Sequence, residues 1–243
     1  MQRKYKFLMF ILIFLNICLL YKQYSIKKTL KKENIDISIW SGKEELTEEK
    51  IEKMSNEYQN KIRIYYPKSN DPILNDEIKN KIEIIKLDFE KKIENIEAKP
   101  NKYYTLFINY DAYSYKNYIS YVFYVEEYIG GAHPNTTIFT IVYDKKEQKF
   151  ITIDTLIERN SNILNLLSKY SREEFEVSKT FTENKDLYLM LQEGTKPTTD
   201  NFKRFAFSEN GLILFFEQYQ IAPYSEGIFQ ITIPYSRIKN ISN

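Results

Sequence analysis

The chain has 243 residues, enough for a sizeable core in one or two domains, and its 35 Lys+Arg against 33 Asp+Glu leave a net charge of only +2. That balance excludes the broad basic footprint of a nucleic-acid binder, while a single histidine and a single cysteine exclude two-histidine metal sites, multi-cysteine zinc sites and any internal disulfide. Tyrosine is abundant, with 21 residues, which points toward sheets and a binding surface.

A basic tip at residues 1–6 precedes an apolar run at 7–21, broken only by Asn16. At ~1.5 Å per residue the run spans roughly 22 Å, close to a signal-sequence core and short of the ~30 Å hydrocarbon layer. No Ala-x-Ala cleavage signal follows, and Cys18 lacks the small preceding residues of a lipidation site, so the run is expected to stay as a transmembrane signal anchor. Lys22, Lys27, Lys28, Lys31 and Lys32 follow it. By the positive-inside count alone they would keep the C-terminal side in the cytoplasm.

Residues 22–57 read as a charged stalk, with Glu44–Lys53 helical through Glu-to-Lys pairs. Lys61–Tyr66 alternates as a first strand, with Pro67 as its stop. Asp71-Pro72 is a helix start, and Leu74, Ile78, Ile82, Ile85, Phe89, Ile93 and Ile96 recur at steps of three and four. That helix ends before Pro100.

From Tyr103 the period becomes two. Tyr103–Tyr113, Tyr118–Ile129, Thr136–Tyr143 and Lys149–Ile153 are strand candidates whose short polar connections predict an antiparallel meander. A helix capped by Ser161 carries Ile163, Leu164, Leu167 and Tyr170, and Lys185–Gln192 is a shorter one ended by Gly194. Asn201–Phe207, Gly211–Ile221 and Phe229–Pro234 complete the strands. The expected class is α+β, a largely antiparallel sheet with packed helices.

Two loops stand out as partner-binding candidates. In the first, Gly130 and Gly131 permit unusual backbone angles, Pro134 stiffens the exit, and His133 and Asn135 offer polar contacts. A loop histidine bonded to nearby backbone is the plain reading of His133; a catalytic base is the alternative. In the second, Pro223 and Tyr224 sit on a short turn, either as an exposed recognition knob or as a hairpin with an inward ring. Glu126 and Glu127 cannot act as a glycosidase pair, because adjacent strand residues point to opposite faces. No P-loop, dinucleotide fingerprint or G-x-S-x-G occurs, so no catalytic residue, cofactor or metal is assigned.

Gly-Gly-Ala-His-Pro-Asn (130–135), then Tyr-Asp-x-x-x-x-x-Phe-x-Thr-x-Asp-x-Leu (143–156), resembles the extracytoplasmic region of RsiV-type lysozyme-sensing anti-sigma factors. The same region precedes the catalytic domain of PdaC-type peptidoglycan deacetylases. Phe-x-x-x-Glu-Asn-Gly-Leu-x-Leu-x-Phe-x-x-Tyr-x-Ile-Ala-Pro-Tyr-x-x-Gly (205–227) and Ile-Pro-Tyr (233–235) resemble its second half. The likeness runs from about Ile62 to Ile238, which places one half of the region at 58–135 and the other at 136–240. A metal-binding His-x-x-x-His deacetylase domain is lacking, and six residues before the apolar run leave no room for a sigma-binding domain. Neither activity is therefore expected. The resemblance implies export, with the folded part anchored outside the membrane, and a lysozyme-like protein or peptidoglycan as partner. An envelope hydrolase or deacetylase-associated enzyme with a site near His133 is the alternative.

Overall fold

Period-two alternation after residue 103 does become a meander. In a computed structural model, which describes residues 47–55, 60–94, 96 and 103–242, six strands form one sheet in chain order. They are β1 (Thr47–Ser55), β2 (Asn60–Lys68), β3 (Tyr104–Tyr115), β4 (Tyr118–Tyr128), β5 (Asn135–Asp144) and β6 (Lys149–Phe150). Neighbours are antiparallel except β2 and β3, which pair in parallel over Asn60–Ile64 and Tyr104–Ile108. Parallel neighbours need a crossover, supplied by helix α1 (Pro72–Glu94). Short helices follow: α2 (Ile153–Arg159), α3 (Ile163–Glu176), α4 (Lys179–Thr182), α5 (Lys185–Gly194) and α6 (Thr199–Phe202). A three-stranded antiparallel sheet, β7 (Phe205–Ser208), β8 (Gly211–Phe216) and β9 (Phe229–Ile233), completes the α+β fold.

Helix α1 begins as its sequence dictates. The Asp71 Oδ1 accepts from Ile73 N at 2.9 Å and Leu74 N at 3.2 Å, satisfying two orphan donors of the first turn. Its other oxygen accepts from the buried Tyr143 hydroxyl at 2.8 Å, which ties the helix start to β5. Burial, then that hydrogen bond, then the charges of Asp71 and Asp144 push the Tyr143 phenol up to about 12. Leu74, Ile78, Ile82, Phe89 and Ile93 are buried as the spacing predicts. Lys92 reaches Glu127 of β4 at 2.9 Å and Asp88 at 2.8 Å.

On the opposite face, Tyr118 and Val122 of β4, with Ile138 and Val142 of β5, lie in cores shared with the second sheet. Tyr118 stacks on Phe207 with centroids 4.5 Å apart, and Phe207 N donates to the buried Ser120 Oγ at 3.0 Å. Lone polar groups in such a core must be paired, so this bond fixes how β7 crosses β4.

Several expectations are corrected. Residues 47–55, read as stalk with a helical stretch, form a strand paired with β2 along its whole length; a continuous ladder outweighs ion pairs worth ~0.3–0.5 kcal/mol each. Pro67 does not stop β2, which runs on to Lys68, because that end has β1 on one side and no β3 partner on the other. Lys149–Ile153 shortens to β6, since Thr152 caps α2 through a reciprocal bond with Thr155. Asn162, not Ser161, precedes α3. Asn201 and Phe202 close a short helix instead of opening a strand, and β8 stops at Phe216 before a turn. Gly194 ends α5 for a reason other than chain reversal: a Cβ there would lie 2.0 Å from the Gln220 carbonyl oxygen.

The tip at 1–6, the apolar run at 7–21 and the stalk up to residue 46 lie outside the described residues. Among the described residues no helix is long and apolar enough to cross a membrane.

Candidate functional site

The two loops singled out by sequence meet. Strand β4 ends at Tyr128, and Gly130 then turns the chain at φ 87°, an angle its Gly131 neighbour does not need. The exposed His133 follows, its Nδ1 2.9 Å from the Pro134 carbonyl oxygen. A carbonyl only accepts, so Nδ1 is the nitrogen that donates in this contact. Asn135 opens β5, opposite Glu127.

From the second sheet, β8 ends at Phe216 and the chain returns through residues 217–228. Pro223 is exposed and Tyr224 opens a 3-10 turn closed by Gly227 N donating to Tyr224 O at 3.0 Å. The Tyr224 ring stacks on His133 with centroids 3.7 Å apart and planes at 24°. Its hydroxyl donates to Pro134 O at 2.9 Å, the same oxygen that His133 uses. Tyr224 is thus half-buried: neither the free knob nor the inward core ring, but the link between loops. Tyr219, 57% exposed, lies 6.0 Å from Tyr224 and extends the aromatic edge. His133, Pro134 and Tyr224 touch directly; Gly130, Gly131 and Asn135 shape the first loop and Pro223 the second.

Residues that the sequence did not single out hold this junction. On the side away from β4, strand β5 pairs with β6 only at Tyr143 and Asp144. Ile151 N donates to Val142 O at 2.8 Å, and at Thr136 and Ile138 that edge is met by side chains. Gln218 Oε1 accepts from Thr136 N at 3.2 Å, Glu217 Oε1 accepts from Ile138 N at 2.7 Å, and Arg204 Nε donates to Ile138 O at 3.0 Å. Arg204 and Glu217 also form an ion pair, both largely buried. The pair thus substitutes for a missing neighbour strand at Ile138. Arg204 and Glu217, the charged residues flanking the apolar strands β7 and β8, were the available signal, but their partner strand was not.

Glu126 and Glu127 do face opposite ways: Glu127 pairs with Lys92, and Glu126 is exposed on the other face. Burial opposes the Lys92 charge, yet the Asp88 and Glu127 carboxylates hold its ammonium above the usual lysine range. Among the described residues, no group of three or more His, Cys, Asp and Glu could hold a metal ion. The junction offers an aromatic edge, an exposed imidazole and a proline, the makings of a recognition surface.

Comparison with known proteins agrees with the motifs. Residues 154–236 match the family described as "Protein of unknown function (DUF3298)". The chain is 33% identical over 155 residues to the peptidoglycan-N-acetylmuramic acid deacetylase PdaC of Bacillus subtilis, covering 63% of this chain and 32% of that protein. It is 29% identical over 112 residues to the immunogenic protein MPT64 of Mycobacterium tuberculosis, 46% of each chain. It therefore spans between 32% and 46% of these curated relatives. Among solved structures, a DUF3298 family protein of Pseudomonas aeruginosa superposes with TM-score 0.60 at 15% identity, covering 81% of this chain and 94% of its own. A member from Bacteroides fragilis gives 0.54 at 18%, covering 83% and 94%. Motifs, domain match and fold converge: the chain carries a DUF3298 domain at residues 154–236, and its folded part is similar to the module of PdaC-type and RsiV-type proteins.

Proposed function

We propose that this chain is a non-catalytic recognition module of the cell envelope, anchored through residues 7–21 with its folded part outside the membrane, and that it binds a peptidoglycan component. The reading is supported by the relative PdaC, whose name assigns it to peptidoglycan. The shared stretch is a third of that protein, so binding is carried over here and deacetylation is not. The observation that carries the reading is the His133–Tyr224 stack with its shared Pro134 acceptor, which joins two loops distant in sequence into one exposed edge.

Co-sedimentation of the full-length protein with insoluble peptidoglycan tests it. An aromatic anchor contributes ~2 kcal/mol or more, so Tyr224→Ala weakens binding about thirtyfold. Wild-type protein that stays in the supernatant at any wall concentration refutes the reading. Tyr224-dependent capture by immobilised lysozyme, with no wall binding, would transfer the site to a lysozyme-like protein partner.

A further inference from the structure

The second sheet covers only part of the face opposite α1. Strand β7 sits over Tyr118 and Ser120, and β8 packs on Val122 and Ile138. Toward the other end of β3 and β4, the second sheet does not cover this face. Register sets Thr105 beside Tyr128, Phe107 beside Glu126 and Asn109 beside Tyr124, with Lys61 and Arg63 of β2 alongside Thr105 and Phe107. Alternation sends all of these to one face.

Asn109, Asp111 and Glu126 are exposed there; Lys61, Arg63, Thr105, Phe107 and Tyr128 are half-buried. Lys61 Nζ stands 5.9 Å from the Phe107 ring centre. Tyr103, 59% exposed, leans on Tyr128 at 5.5 Å. The strip from Thr105 to Asp111 is ~20 Å long at the usual strand rise.

We propose that this strip binds a neutral, N-acetylated glycan chain, an inference that rests on the cell-envelope reading above. Three features select that ligand. Aromatic rings spaced along a strand offer stacking surfaces to the C–H faces of successive sugar rings. Asn109, Thr105 and Glu126 supply donors and acceptors between them for hydroxyl and acetamido groups. The charges balance, Lys61 and Arg63 against Asp111 and Glu126, which favours an uncharged polymer over nucleic acid or a strongly acidic one. Cavities of about 520 and 160 Å³ flank Arg237, and none of their lining residues belongs to the strip.

The probe is the β-1,4-linked hexamer of N-acetylglucosamine, titrated calorimetrically into the full-length protein and into Phe107→Ala and Glu126→Ala. The expected result is saturable binding weakened about tenfold by Phe107→Ala, in a variant that melts somewhat lower but stays folded at the assay temperature. Should Phe107→Ala unfold, Glu126→Ala, at an exposed site, gives the same reading through a severalfold loss. No hexamer binding, or binding indifferent to the folded variants, overturns the proposal. If the protein still sediments with peptidoglycan in that case, the envelope reading survives the loss of the strip; if it does not, both fall. Lysozyme capture that Phe107→Ala abolishes, without hexamer binding, would overturn it in favour of a protein ligand.

Discussion

The junction between Tyr224 and His133 can be measured as a coupling energy. Tyr224→Phe removes one hydrogen bond, but Pro134 O keeps the His133 N–H, so no acceptor is orphaned and the cost is ~0.5–1 kcal/mol. Tyr224→Ala also removes the stack, worth ~0.5–1.5 kcal/mol, and part of a half-buried ring, for a total of ~2–3 kcal/mol. A free surface ring would cost almost nothing, and a core ring ~3–5 kcal/mol. In a domain of this size the alanine variant melts ~5–10 °C lower and the phenylalanine variant ~2–3 °C lower. Urea unfolding of Tyr224→Ala, His133→Ala and the double variant then gives a coupling of about 1 kcal/mol. Additivity within ~0.3 kcal/mol would refute the claim that these two rings join the loops.

Three further outcomes follow from particular bonds. Asp71→Ala removes the α1 cap and the acceptor of the buried Tyr143 hydroxyl, so it costs ~2–4 kcal/mol in urea unfolding, while Asp71→Asn, itself a good cap, costs markedly less. Because the Tyr143 phenol is raised to about 12 when folded, from about 10 unfolded, only the unfolded chain loses that proton in between. Its contribution is complete below pH ~10 and is lost as pH rises through 12; Tyr143→Phe flattens that decline. Arg204→Ala leaves the Glu217 carboxylate largely buried without its cation, at a cost of ~3–5 kcal/mol. Recovery of most of that loss is not expected in Arg204→Lys, which cannot donate from a planar fork to both Ile138 O and Glu217. A lysine variant that melts like wild type would refute this account.

What could be read from sequence was local. Asp71-Pro72 and the three-four spacing defined α1, and strand-forming runs bounded by short polar connections defined β3 to β5, because each signal lies within one element. Strand β1 was illegible: Glu48, Glu49, Lys50, Glu52 and Lys53 have helical charge spacing, and only β2 makes them a strand. The parallel pairing of β2 with β3 was likewise a nonlocal fact. Glycine and proline marked both candidate loops, yet Tyr224 and Pro134 lie 90 residues apart, and nothing in either loop names the other. Arg204 and Glu217 carry no motif at all, since their task is to complete a backbone edge that exists only after folding.

That edge has a consequence for the order of events during synthesis. Ile138 waits for Arg204 and Glu217, 66 and 79 residues downstream, which emerge roughly 3–16 s later at ~5–20 residues per second. Until then the nascent six-stranded sheet presents the β5 backbone between Thr136 and Ile141 without a neighbour on the side away from β4, in a segment rich in β-branched residues. During that interval the edge is available to a second chain. Closure by an ion pair instead of a seventh strand means that the second half of the chain acts, in cis, as the chaperone of the first.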